Sequence, residues 1–444
     1  MNFCSLPDLL LVTATSRVAA GTDLFIDCGA ELTIIAASGN GPYHGLPGVS
    51  RLRSRRPTLT VGDHTLVAVE SPRQEIGSSK WGTRGWTYQE VMLSTRRLVF
   101  TDSQVYFQCR SSYVLEGWKG QGSELARNSR LLLAAFSEIS AISRSTGLYN
   151  RLEEYYRREL SYPSDILNAF TGIFRAFRNI RQQGSGPYGS HFYGIPIIYH
   201  LAQGDSVVGE PRNAEISFAL GLAWKVYSRD NSYANFNKLG NLVASNDNRL
   251  YRLVVQDNPF PSWTWAAFKA SQQLSDPGRL HFPYRFPSDK LIHGKFFEIN
   301  LYHRSGAKMS LVDYLKQEDD YTKFLPIIEI TSFVMHGSLT QGRHGSVGFS
   351  AFPGVHVHLH EPPEGIGGTL IAICVGYIID ENPIVIIVEE VETGTERERK
   401  YRHVGVCSWS DGKKAEAQAQ EQATTSLQIM SGRLGWHRQT LRLV

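Results

Sequence analysis

Trp81-Gly82-Thr83-Arg84-Gly85-Trp86-Thr87-Tyr88-Gln89-Glu90-Val91-Met92-Leu93, running on through Ser94-Thr95-Arg96-Arg97-Leu98-Val99-Phe100, organises the front of this chain. Residues 85–93 read as a helix. Thr87 and Glu90 have the spacing of a capping box, in which the glutamate ties the first turn. Arg97-Leu98-Val99-Phe100 and Gln104-Val105-Tyr106-Phe107-Gln108-Cys109 alternate like two strands about the turn Thr101-Asp102-Ser103. Upstream, Leu32-Thr33-Ile34-Ile35-Ala36-Ala37-Ser38 is a β-branched run that ends in Gly39-Asn40-Gly41-Pro42, which predicts a buried strand and a turn. Residues 58–69 read as a strand or hairpin about Gly62-Asp63. Strand, loop, helix and strand in this order predict part of an α/β layer.

The same tract is rich in chemistry. Ser79, Trp81, Arg84 and Trp86 precede Glu90 at close spacing. Read structurally, this is a helix start whose tryptophans dock into the core. Read functionally, it is an aromatic and cationic ligand-binding wall with a carboxylate at its mouth.

The order W-x-x-R-G-W-T-x-Q-E, then L-S-x-R and a strand ending near Cys109, strongly resembles the last characteristic block of the fungal heterokaryon-incompatibility (HET) domain. Ala30-Glu31-Leu32-Thr33-Ile34-Ile35-Ala36-Ala37, with Gly45-Leu46-Pro47-Gly48 after it, resembles the preceding block. Tyr162-Pro163-Ser164-Asp165-Ile166-Leu167-Asn168-Ala169-Phe170-Thr171-Gly172 and Pro261-Ser262-Trp263-Thr264-Trp265-Ala266 resemble elements that commonly follow the domain. Tyr401-Arg402-His403-Val404-Gly405 and the final Leu441-Arg442-Leu443-Val444 are similar to the endings of such proteins. The family's L-S-Y-x-W-G-like and W-I-D-x-L-C-I-x-Q-like opening blocks do not appear, and residues 1–20 match nothing in it. The resemblance therefore implies an N-terminally truncated HET domain over residues 1–116.

What the resemblance implies is a partial α/β fold like that of Toll/interleukin-1-receptor (TIR) domains. In function it implies a cytoplasmic signalling and interaction protein of heterokaryon incompatibility, in which self/non-self recognition leads to programmed cell death. The expected partner is an unidentified protein, and self-association into a homo-oligomer fits the same picture. Some TIR domains cleave NAD through a glutamate in a tract resembling S-x-W-C-L-x-E-L, of which Ser79-Lys80-Trp81 with Gln89-Glu90 is a loose counterpart. Glu90 is the one residue carried over as catalytic. Cleavage of the nicotinamide–ribose bond passes through an oxocarbenium-like state that a carboxylate can stabilise. The missing opening strands would wall such a pocket, so the expectation leans away from an enzyme. A non-functional fragment of a HET protein is the remaining alternative.

Residues 117–282 read as a helical region. Its clearest segment opens at Pro163, carries Ile166, Phe170, Ile173, Phe174, Phe177 and Ile180 at helical spacing, and stops at Gly184. That stripe is core rather than a cofactor box. Residues 283–444 read as β-rich, with strands at 371–377 and 384–388 joined by Asp380-Glu381-Asn382-Pro383. The stretch 413–422 reads as an exposed helix or loop.

Composition sets the outer limits. With 42% hydrophobic and 20% charged residues, the 444-residue chain has the make-up of a globular protein. A net charge of +4 does not favour nucleic acid as a partner. Arg51, Arg53, Arg55 and Arg56, ending at Pro57, read as a solvated loop. The five cysteines contain no CxxC pair, which fits a reducing compartment. No apolar run is long enough for a membrane-spanning helix. Gly184-Ser185-Gly186-Pro187-Tyr188-Gly189 matches G-x-G-x-x-G, but it follows a helix and holds a proline, so it reads as a linker. His356, His358 and His360 share one face of a strand at intervals of roughly 6.5–7 Å, too far apart to hold one ion without bending. No metal and no cofactor is expected.

Overall fold

The structure is a computed structural model that describes residues 30–68, 70–109, 113–116, 136, 146–179, 188–199, 214–227, 234–236, 242–244, 250–252, 260–270, 279–282, 298–316, 320–341, 347–352, 355–360, 370–377, 383–391, 399–409 and 435–444. The lead at 1–20, Ile180, the string 184–187, the turn 380–382 and the stretch 413–422 lie outside the described residues. Two compact units emerge, one from Met1–Ser143 with Arg158–Ala176, the other from Arg144–Arg157 with Phe177–Val444.

The first unit opens with β1 (Thr33–Ala36) and the hairpin β2 (Thr58–Val61) and β3 (His64–Val67). Short helices α1 (Pro72–Ser78) and α2 (Lys80–Thr83) lead to α3 (Gly85–Leu93), followed by β4 (Arg96–Phe100), β5 (Val105–Cys109) and β6 (Tyr113–Leu115). The sheet order is β1-β4-β5-β6, with β1 and β4 parallel and the other pairs antiparallel. The parallel pair follows from the helices between its strands, which carry the chain back to the same end of the sheet. Arg97 fastens helix to sheet: from β4 its Nε donates to the Val91 carbonyl and its Nη2 to the Ser94 carbonyl, both at 2.7 Å. These are carbonyls that the end of a helix leaves without intrahelical partners.

The expected capping box is not formed. Arg84 is extended (φ −78°, ψ 142°) and is the N-cap of α3, so Thr87 lies inside the helix and donates to the carbonyls of Trp81 (2.7 Å) and Arg84 (2.9 Å). The helix start is set from far along the chain: Gly85 N–H donates to the Glu159 carbonyl at 2.6 Å. A Cβ at Gly85 would lie 2.5 Å from Leu160 Cδ2, so any larger residue there requires the Leu160 side chain to move.

After α4 (Thr146–Tyr156), the expected helix from Pro163 comes in two pieces, a 3₁₀ turn at Pro163–Ile166 and α5 (Asn168–Asn179). Its apolar stripe is buried as expected, with Ile166, Phe170, Ile173, Phe174 and Phe177 each at most 3% exposed.

The region expected to be helical also contains strands, and this corrects the sequence reading. β7 (Tyr188–Phe192) and β8 (Ile195–Tyr199) form a hairpin whose turn, Tyr193-Gly194, has positive φ at both positions (47° and 87°). Such a turn suits the twist of a two-residue hairpin. Tyr193 tolerates the conformation because its neighbours fix it: its hydroxyl donates to the Phe324 carbonyl (3.0 Å) and its ring meets Trp263 and Tyr321. After α6 (Ala214–Leu222), β9 (Lys225–Tyr227) pairs with β14 (Arg279–His281). Between them β10 (Ala234–Phe236) pairs with β11 (Leu242–Ala244), and β12 (Leu250–Arg252) with β13 (Phe268–Ala270).

The C-terminal part is β-rich, as expected. It comprises β15 (Glu298–His303), β16 (Lys308–Ser310), helix α7 (Leu311–Lys316), β17 (Phe324–Gly337), β18 (Leu339–Gln341), β19 (Val347–Phe349), β20 (Val355–Leu359), β21 (Leu370–Tyr377), β22 (Pro383–Val391), β23 (Lys400–Trp409) and β24 (His437–Leu443). An eight-stranded sheet runs β16-β15-β17-β21-β22-β23-β20, and β24 pairs with both β17 and β23. The path β17-β21-β22-β23-β24 therefore closes into a ring. Register places Val334, Ile373, Ile386 and Leu441 on the inner side of that ring, all at most 2% exposed. The outer side of β21–β23 is covered by a second cluster that includes Phe349, Phe352, Val357 and Trp436. With both faces buried, β21 and β22 read as continuous apolar runs rather than alternating ones. Among the described residues, no helix is long and apolar enough to cross a membrane.

Candidate functional site

The tract selected from sequence is used to build the first unit. The Ser79 hydroxyl caps α2, accepting from Gly82 N–H at 2.9 Å and donating to the Ile76 carbonyl at 2.7 Å. Trp81 meets Phe136 edge-on with ring centroids 6.3 Å apart. Trp86 Nε1–H points to the Asp165 carboxylate at 3.3 Å. Arg84 is exposed, and its carbonyl accepts from Arg158 at 3.3 Å. Glu90 is half-buried, in the second turn of α3 rather than the first. Trp86 and Glu90, four residues apart, share a face of that helix.

Residues outside the sequence-selected set make the strongest ties. Gln89, 3% exposed, accepts the Gly172 N–H at 2.7 Å through Oε1. Arg158 lies over the Tyr88 ring at 4.4 Å, and Lys80 pairs with Glu159 at 2.5 Å. Gln89 did not stand out by residue type; its burial, which requires a partner for a polar side chain, marks it only in the structure. The arginine cluster is likewise tied within this unit: Arg53 pairs with Glu116 and donates to Pro47, and Arg56 donates to Ser103. The Arg53 guanidinium, a hydrogen-bond partner, holds the Glu116 carboxyl below its ordinary range.

In the second unit, the three histidines do not share one environment. His356 is exposed, His358 half-buried, and His360 buried with its ring stacked on Trp224 at 3.9 Å. The close neighbour of His360 is His403 from β23, at 4.8 Å between ring centroids. Both rings are buried, and Nε2 of His360 has no hydrogen-bond partner. Burial drives both imidazoles neutral, taking His403 down to about 3 and His360 well below the usual value. Among the described residues, no group of three or more His, Cys, Asp or Glu side chains could hold a metal ion. Cys374 and Cys407 are buried free thiols whose ionisation is pushed up by burial, to about 12 for Cys374, which makes them inert as nucleophiles.

One opening lies at an end of the closed strand ring. A cavity of about 370 Å³ is lined by His336, Ile371, Glu390, Arg399, Tyr401, His437 and Gln439. Every strand of the ring contributes, so the cavity is the mouth of its interior. The imidazoles of His336 and His437 lie parallel, 5.6 Å apart and within 8°. Arg399 Nε is 3.5 Å from the Glu390 carboxylate. The buried Tyr401 phenol is pushed up by burial and then by Glu390. Gln439 Oε1 is buried without a partner. The lining residues come from separate stretches at 336, 371, 390–401 and 437–439, which strand pairing assembles. Comparison of the chain with known protein families, with characterised proteins and with solved structures finds no match.

Proposed function

We propose that the chain is an interaction and signalling module of the heterokaryon-incompatibility type, acting on a protein partner in recognition that leads to cell death. One observation carries this: within each unit, the separate tracts that resemble the family are bonded to one another. In the first unit, β1 pairs with β4 (Ile34 opposite Leu98), Gln89 accepts from Gly172 at 2.7 Å, and Trp86 donates to Asp165. In the second, Ser262 N–H donates to the Val444 carbonyl at 3.0 Å, His403 N–H to the Ser262 hydroxyl at 2.9 Å, and Val444 N–H to the Tyr401 carbonyl at 2.9 Å. A pattern tied to a fold falls on residues that touch, whereas chance matches scatter.

A TIR-like layer is supported by the parallel pair β1–β4 with α1 to α3 between its strands. A role without chemistry at Glu90 is supported by its neighbours, since Trp86, Thr87 and Gln89 are all engaged in holding the unit together. Buried thiols at Cys374 and Cys407 outside any disulfide fit action in the cytoplasm. The test is inducible expression in a filamentous fungus. The wild-type chain and Glu90→Gln should both arrest growth and kill, and Gln89→Leu combined with Gly172→Ala should not. Normal growth with folded wild-type protein present, or loss of killing in Glu90→Gln alone, would overturn the proposal.

A further inference from the structure

Seven of the nine exposed large apolar side chains among the described residues lie between Tyr43 and Val67, which gathers apolar surface about the β2–β3 hairpin. Every residue of its two strands is exposed, and neither strand pairs with a third among the described residues. A two-stranded hairpin is marginal alone, and open edges are usually blunted by charges or bulges. Thr58-Leu59-Thr60-Val61 carries neither. We propose that β2 pairs antiparallel with β2 of a second copy of this chain, joining the two hairpins into a four-stranded sheet about a two-fold axis.

Register and charge select this occupant. Leu59 stands opposite Leu66, Val61 opposite His64, and the Pro57 carbonyl accepts the Ala68 N–H at 2.9 Å. Bonded and unbonded pairs alternate in an antiparallel ladder, so the backbone groups of Thr58 and Thr60 point away from β3. The N–H that Pro57 lacks belongs to the inward set, and the outer edge keeps its donors. When Thr58 of one copy meets Thr60 of the other, the two threonine pairs exchange their backbone bonds across the axis. In that register Leu59 faces Leu59 of the second copy, and a row of leucines at 59 and 66 crosses one face of the new sheet.

The same register sets Arg55 of each copy opposite Asp63 of the other. Both residues are exposed, and among the described residues neither has a hydrogen bond or an ion pair. Pro57 disfavours helical backbone at Arg56, which keeps the approach to the strand extended. Sliding the pairing by two residues either way sets Arg55 against Val61 or Thr65 instead. Pairing the β3 edges about Leu66 brings no opposite charges together. The β2 edge is thus complementary to itself, as a two-fold interface requires. Nothing in this pairing depends on the signalling role.

The experiment is sedimentation equilibrium of the full chain over a wide range of concentration. The wild type should pass reversibly from monomer to dimer. Arg55→Glu and Asp63→Arg should each raise the dissociation constant at least tenfold, because each turns both ion pairs into repulsions. An equimolar mixture of the two variants should recover the dimer, since each protein supplies the charge that the other has lost. Thr60→Pro removes an outward N–H and no bond of the hairpin, and it should also weaken pairing at least tenfold. All three variants should unfold like the wild type. If Thr60→Pro does not, Leu59→Lys, which sets two like charges at the axis, takes its place with the same expected loss. A monomer at every concentration, a dimer indifferent to the charge reversals or to the change at the β2 edge, or a mixture no tighter than either variant alone would overturn the proposal.

Discussion

The Gln89 side chain occupies the space that a side chain at position 172 would need. Its Oε1 accepts the Gly172 N–H at 2.7 Å, and a Cβ built on Gly172 would lie 2.5 Å from that same oxygen. Glycine inside a helix normally costs about 1 kcal/mol relative to alanine. Here the sign reverses.

Gly172→Ala should therefore destabilise the first unit by about 1–3 kcal/mol, the usual range for overpacking. In a Gln89→Ala background the same change should cost much less. The double-mutant cycle, measured by urea unfolding, should show a coupling of at least about 1 kcal/mol. Additive effects of the two changes would show that the contact is not formed.

Arg97 gives a second test of how α3 is held. Its guanidinium is buried, donating to the Val91 and Ser94 carbonyls, and its charge lies 5.5 Å from the centre of the Phe136 ring. Lysine keeps the charge but cannot reproduce the fork. Arg97→Lys should lower stability by about 1–3 kcal/mol through the carbonyls left without donors. A change near zero in denaturant midpoint would contradict this role.

Acid should destabilise the second unit through His360 and His403. Burial lowers both in the folded state, His403 to about 3, whereas an unfolded histidine titrates near 6.5. Below about pH 6.5 the unfolded chain takes up protons that the folded chain refuses. The stabilisation is thus complete above that pH and is lost as pH falls toward about 3. Each histidine should contribute a slope of up to about 1.4 kcal/mol per pH unit in that window. Unfolding measured from pH 7.5 to pH 4.5 should be less pH-dependent in His403→Phe than in the wild type. Equal slopes would show that this pair does not set the acid limit.

How far the sequence can be read depends on range. The bounds of α3, the β4–β5 turn, the β2–β3 hairpin and the apolar strands β21 and β22 all follow from local period and turn residues. The capping of the α3 start does not, because the Gly85 N–H goes to the Glu159 carbonyl, which no window around Thr87 contains. The β7–β8 hairpin was hidden because its turn is Tyr193-Gly194 rather than a glycine-asparagine pair, and the strained tyrosine is held by distant aromatic rings. Ser79, Trp81, Arg84, Trp86 and Glu90 stood out by residue type, whereas Gln89, the residue that ties α3 to Gly172, did not. The pairing of β24 with β17 and β23 closes the ring and gathers His336, Glu390 and His437, yet period-two alternation carries no information about which strands pair.

Nicotinamide release from NAD by purified wild-type and Glu90→Gln protein, run beside thermal unfolding of both, tests most directly whether the tract at 79–90 is a structural tie or a catalytic centre. Structural use of the tract predicts no release above a protein-free control from either protein. It also predicts that the substitution, at a half-buried helix position, changes stability by no more than about 1 kcal/mol. Turnover by the wild type that Glu90→Gln abolishes while the fold survives would contradict it.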